Sequence, residues 1–273
     1  MQITVIEDRD RPAASRRIGF GSSGFVTDGF CEEARTTLPP PISTQVIRRW
    51  QDGCSPILEP EAIREANSGP GLNLLILHIG WSSQLTLEEI RHVKGKLLEA
   101  LLFFHSGYQL KEVMQEIYSD DERQRAQAAG ALVQNDYSAY YFAHPEALPP
   151  LPRRPYLMGG RRDEVQDGSY LSPLFFYSPP RFFFKPGEQD LLWLALMDKS
   201  DEEITRLLHL SPSAVQKRWR ASYERVAAVM PDLLPWSDLS GAEAQTRGTE
   251  KRRHLLRYLR SHPEELRPIC KPK

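Results

Sequence analysis

In the last third of the chain, apolar positions recur at helical spacing in three consecutive runs. Leu191, Leu192, Leu194, Ala195 and Leu196 form the first, Ile204, Leu207 and Leu208 the second, and Val215, Trp219, Tyr223 and Val226 the third. Intervals of three and four residues gather such side chains on one face of a helix. Polar residues between the runs supply starts and stops. Pro186 suits the first turn of a helix, where its missing N–H is not needed. Ser200 with Glu203 makes a capping box, and Ser211 with Pro212 caps and opens the third helix. Three short helices with a tight turn between the second and third are the plan of a helix-turn-helix.

Upstream the pattern alternates between types. Thr86 and Glu89 form another capping box, Leu85 can staple onto Ile90, and apolar positions follow at Val93, Leu97, Leu98, Leu101 and Leu102, which predicts a long helix. A second amphipathic stretch runs through Leu110, Val113, Met114 and Ile117 after Gly107. Ser43 with Val46, Ile47 and Trp50 predicts a helix ending at Gly53, and Pro60–Ala66 a short one stopped near Gly69. Leu72–Ile79, apolar except at Asn73 and His78, predicts a mostly buried strand, and Arg17–Phe30 reads as glycine-punctuated strands. Ala139–Phe142 and Leu174–Tyr177, rich in aromatics, are strand candidates. The first fifteen residues, charged with both signs, read as a mobile arm. Prolines at 39–41, at 149, 150, 152 and 155, and at 179–180 mark connections.

These elements predict an α+β fold: a mixed α/β domain over residues 1–180, an all-α helix-turn-helix domain over 181–235, and a helical tail over 236–273. In the tail, TEKRRHLLRYLR from Thr249 to Arg260 reads as a basic amphipathic helix, with Leu255, Leu256 and Leu259 packing inward and the basic face near phosphates.

Composition changes this picture little. At 273 residues, 40% hydrophobic and 26% charged, the chain is ordinary globular protein with room for two domains. The net charge of −1 conceals an asymmetry: 17 Lys/Arg against 13 Asp/Glu from residue 181 onward, and 18 against 23 before it. A basic module on an acidic body favours a nucleic-acid partner for the former. Three scattered cysteines (Cys31, Cys54, Cys270) fit neither a disulfide framework nor a zinc cluster. No basic-then-apolar leader opens the chain and no apolar run reaches the ~20 residues of a bilayer span, so it reads as cytoplasmic, with no membrane partner.

Candidate chemistry points to binding and not to catalysis. Seven dispersed histidines show no HxH or HxxxH spacing, so no metal or other cofactor is expected. Gly19, Gly21 and Gly24 spell GxGxxG, but Phe25–Val26–Thr27 reads as strand where a dinucleotide fingerprint needs a helix; a glycine-rich turn is the expectation, and the chain is read as no enzyme. The aromatic set Trp81, Tyr108, Tyr137, Tyr140, Tyr141, Phe142, Phe175, Phe176 and Tyr177 is divided between core packing and the lining of an effector pocket. On the third C-terminal helix, Trp219 is assigned to the core. Gln216, Lys217, Arg218, Arg220 and Arg225 stand away from the apolar stripe, where amide and guanidinium groups pair with base edges in a major groove. Ser211, Ser213 and Ala214 at the helix start complete the candidate DNA-binding set, the exposed N-terminus suiting a phosphate oxygen.

Residues 184–226 resemble the LuxR-type helix-turn-helix, and more distantly region four of sigma factors. Glu188 and Leu192 match the first helix of that family, with Phe184, Asp190 and Leu191 as near equivalents; Glu203, Ile204, Leu208 and Leu210 match the second; Ser211 and Val215 match the start of the third. Gly187 and Asp198 depart from the pattern, standing where an Arg and a helix-closing Gly are usual, as do Ala214, Gln216 and Arg218 in the third helix. The resemblance covers about 43 of 273 residues. It implies a transcription regulator that binds double-stranded DNA as a homodimer, controlled by an N-terminal domain that senses a small-molecule effector or mediates dimerisation. For that domain, PAS and GAF sensors are the architectural analogy. The alternative is an adaptor whose helix-turn-helix binds RNA polymerase or a sigma factor.

Overall fold

The computed structural model describes residues 1–145, 155–169, 171–235 and 244–270, the last range with backbone alone for 244–249. The fold is mixed α+β, and the chain divides into two compact units, Met1–Phe176 and Tyr177–Lys273. The expected connection at Pro149, Pro150 and Pro152 lies outside the described residues.

The first unit is a six-stranded sheet with helices on both faces. Its elements in order are β1 (Gln2–Glu7), β2 (Arg17–Val26), α1 (Asp28–Thr36), α2 (Ile42–Gln51), α3 (Pro60–Asn67), β3 (Leu72–Trp81), α4 (Leu87–His105), β4 (Leu110–Ile117), α5 (Asp120–Ala128), β5 (Leu132–Asp136), α6 (Ser138–Ala143), β6 (Tyr156–Arg161) and α7 (Ser172–Phe175). The strand order is β1-β2-β3-β4-β6-β5. Among the described strands only β3 and β4 pair in parallel, and α4 supplies the crossover that a parallel pair requires.

Successive strand residues serve opposite layers. Leu75, Met114 and Leu157 pack with Phe30, Ala34, Ile42 and Val46 of α1 and α2. Leu74, Ile76 and Val113 face the other way, with Leu174 of α7 and the half-buried Leu101 and Leu102 of α4. The capping box on α4 is formed as expected: Thr86 Oγ1 accepts the Glu89 N–H and the Glu89 carboxylate accepts the Thr86 N–H.

Gly19 lies where α4 comes closest to β2, with Gly21 in ordinary contact with the same helix. A Cβ on Gly19 would stand 2.5 Å from Val93 Cγ1, and one on Gly21 3.4 Å from Leu97 Cδ2. All three glycines of the GxGxxG spacing lie within β2 and not in the expected turn, and it is Gly19 that the close approach of α4 requires.

Three further expectations from the sequence give way to a different structure. The N-terminal arm is β1, an edge strand in which Gln2, Thr4 and Ile6 are half-buried while Ile3 and Val5 are exposed with Phe20 on its neighbour. The stretch Leu110–Ile117 is a strand, buried at Glu112 and Glu116 as well as at its apolar positions. The strand candidates Ala139–Phe142 and Leu174–Tyr177 fall in the helices α6 and α7 or just beyond α7. The aromatic set is divided, as expected for part of it: Tyr137 and Tyr141 are core and Tyr108 packs on Phe25, while Phe142 and Phe176 are exposed.

The second unit is helical: α8 (Pro186–Leu196), α9 (Asp201–Leu207), α10 (Pro212–Val229) and α11 (Ala244–Ser261). Leu191, Leu192, Ile204, Val215, Trp219 and Val226 are its buried centre, and Leu255, Leu256 and Leu259 bring α11 into the same unit. No helix among the described residues is long and apolar enough to cross a membrane.

Candidate nucleic-acid interface

The three-helix module is set by its two turns. After α8 the chain reverses in a left-handed residue, Asp198 at φ 57°; its N–H donates to the Ala195 carbonyl and that of Lys199 to the Leu194 carbonyl. This pair of bonds is the Schellman motif, whose left-handed position usually holds glycine. The turn between α9 and α10 repeats it, with His209 at φ 52° and the Leu210 N–H donating to the Thr205 carbonyl. Ser200 and Glu203 cap α9 reciprocally, and the Ser200 N–H holds the Glu203 carboxyl below its usual range. Ser211 Oγ accepts the Ala214 N–H and opens α10.

Two charged contacts lock α10 onto α8. Glu188, buried, receives Arg225 Nε at 2.9 Å and Nη2 at 3.3 Å, and also accepts the Lys185 N–H at 2.7 Å. Arg218 donates to the Gly187 carbonyl at 3.0 Å, and a Cβ on Gly187 would lie 2.9 Å from its Cζ. Gly187 and Arg218 thus answer one another: the missing side chain at 187 makes the berth that the guanidinium at 218 fills. Arg218 and Arg225, expected on the outer face, are instead half-buried, the one committed to this carbonyl and the other to Glu188.

What remains on the outer face is narrower than the sequence set. Ser211, Ser213, Gln216, Lys217 and Arg220 are exposed, with the Ser211 and Ser213 hydroxyls 3.0 Å apart. Arg220 Nε pairs with Glu224 at 2.8 Å in an open i,i+4 contact. Ala214 is half-buried. Gln216, Lys217 and Arg220 share one helix and present an amide, an ammonium and a guanidinium to solvent, donors suited to adenine and guanine edges.

The fourth helix steadies this arrangement. Arg252 pairs with Asp201 at 2.8 Å, donates to the Lys199 carbonyl at 2.9 Å, and lies over the Trp219 ring at 4.8 Å. Trp219 Nε1 donates to the same Asp201, and its ring stacks on Tyr223, whose hydroxyl burial pushes upward in pKa. Arg253 and Arg260 pair with Glu250 and Asp198. Three arginines of the tail are thus turned to protein carboxylates, a use its basic composition did not disclose.

Comparison with known family models, curated proteins and solved structures gives no match. Among the described residues, no three His, Cys, Asp or Glu gather as a metal site.

Proposed function

We propose that this protein is a DNA-binding transcription regulator, with α10 as its reading helix. The observation carrying the proposal is the division of α10 into two rows. Val215, Trp219, Val226, Arg218 and Arg225 are spent on packing, while Ser213, Gln216, Lys217 and Arg220 stand in solvent on a helix capped at its entry. A helix held rigidly along one side, with base-pairing donors along the other, is what insertion into a major groove requires. The Ser211 and Ser213 hydroxyls at the helix entry serve a phosphate oxygen, which fixes register without reading sequence. The first unit is the regulatory half, a sensor in the role that PAS and GAF domains fill, and the regulator acts as a homodimer on a two-fold site.

The test is selection of bound duplexes from a random pool by the purified chain at stated salt, followed by titration of the winner. A defined site is expected, with affinity falling steeply as salt rises. Lys217→Ala with Arg220→Ala is expected to weaken binding by about 1–3 kcal/mol for each base edge no longer held. Equal affinity of parent and double variant, measured by fluorescence anisotropy, removes α10 from the interface. Binding to RNA polymerase with little salt dependence, and none to duplex DNA, identifies an adaptor instead.

A further inference from the structure

The parallel pair of the first unit comes apart, and a cavity fills the fork. The β3–β4 ladder ends at Ile76 and Gln115, yet β3 continues to Trp81 beside β2 while β4 continues to Ile117 beside β6. A register shift falls at the fork, where Ser22 faces His78 but Ser23 faces Ile76. Irregularities of this kind re-aim side chains, and this one opens at the carboxyl ends of β3 and β4, the end of the strands at which open α/β sheets bind ligands. The cavity there holds about 460 Å³, within the range of small-molecule sites.

Its wall is largely carbon, with Leu97, Leu98, Leu101 and Phe104 of α4 over Ile76 and Ile117 of the strands. Two polar pairs interrupt it. Ser23 Oγ and His105 Nε2, both buried, lie 2.8 Å apart, and Tyr118 Oη lies 3.3 Å from His78 Nδ1. The charges of the lining are unequal. Lys94, poised 4.3 Å over the Trp81 ring, and Arg125 are exposed members of it. Its carboxylate, Glu122, is already engaged by the Tyr118 N–H at 2.9 Å.

From this geometry we infer that the fork is a binding site for a small amphipathic carboxylate, its apolar body along α4 and its head toward Lys94 and Arg125. As the effector of the regulator proposed above, this ligand class rests on that proposal; as a site, it stands on the first unit alone.

The experiment titrates the full chain, without DNA, with the fluorescent apolar anion 8-anilinonaphthalene-1-sulfonate, and competes it with decanoate or 1-decanol. One saturable site displaced by decanoate is expected. Leu98→Trp, at a partly open position, should weaken probe and decanoate at least tenfold with an unchanged melting curve; if it fails to fold, Leu101→Phe narrows the same wall. Lys94→Gln with Arg125→Gln should weaken decanoate about tenfold and leave 1-decanol unaffected. No saturable site, or one indifferent to the wall variants, overturns the assignment, and equal weakening for acid and alcohol overturns the carboxylate. DNA affinity is titrated separately: ligand binding without DNA binding sinks the regulator alone, and DNA binding without ligand binding sinks the cavity alone.

Discussion

Single residues carry more of this molecule than their types suggest. Asp198 and His209 both occupy left-handed backbone at helix ends, a region where an L side chain crowds the following carbonyl. Asp and His are among the better-tolerated residues there, and His209 is exposed at the turn before α10. His209→Gly is expected to raise stability by about 1 kcal/mol, because glycine adopts that φ without steric cost. A thermal melt that falls for this variant refutes the turn as described. The exchange between Gly187 and Arg218 shows the same economy: neither departure is intelligible by itself, and a family pattern compared position by position reports both as defects.

Among elements, the caps were the most legible part of the sequence. Thr86 with Glu89, Ser200 with Glu203, and Ser211 with Pro212 all stand at helix starts, since a cap is a local contact that needs no knowledge of the tertiary fold. β4 was not legible. Its apolar residues at 110, 113, 114 and 117 keep helical intervals because the strand is buried on both faces, and two of its inward positions are carboxylates. Glu112 accepts Arg35 Nη1 at 2.5 and 2.6 Å, and Glu116 accepts the Ile42 N–H of α2 at 2.6 Å. These partners lie more than seventy residues away, so each acid reads as a solvated face. Of the candidate site, the exposed row of α10 was readable from spacing, whereas the cavity was not, since strand divergence leaves no mark in one sequence. The packing of α4 on β2 invites a direct test. Gly19→Ala places a methyl against Val93 and is expected to cost about 1–3 kcal/mol. Adding Val93→Ala should recover part of that stability in a double-mutant cycle of denaturant midpoints, and simple additivity argues against the contact.

At the scale of the whole chain, the two units meet pH and heat in different ways. In the second, Glu265 is buried, accepting the Arg181 and Phe182 N–H groups at 2.9 and 3.0 Å, with the Tyr258 hydroxyl at 3.4 Å. Burial nonetheless raises its pKa. Between the unfolded and the raised folded pKa the folded form binds more protons than the unfolded chain, so this residue's stabilising contribution is present in acid and is lost as pH climbs through the raised pKa. Glu265→Gln is expected to flatten that decline in denaturant midpoints taken from pH 4.5 upward; an unchanged slope assigns the decline to another group. In the first unit, the outward row of β1 has a consequence for handling the protein. Ile3 and Val5, 51% and 45% exposed beside Phe20, line an unpaired sheet margin, the kind of surface on which partly unfolded chains stick to one another. Val5→Lys should leave the melting temperature in place while delaying turbidity on heating, and light scattering that rises as early as for the parent traces clumping to some other surface.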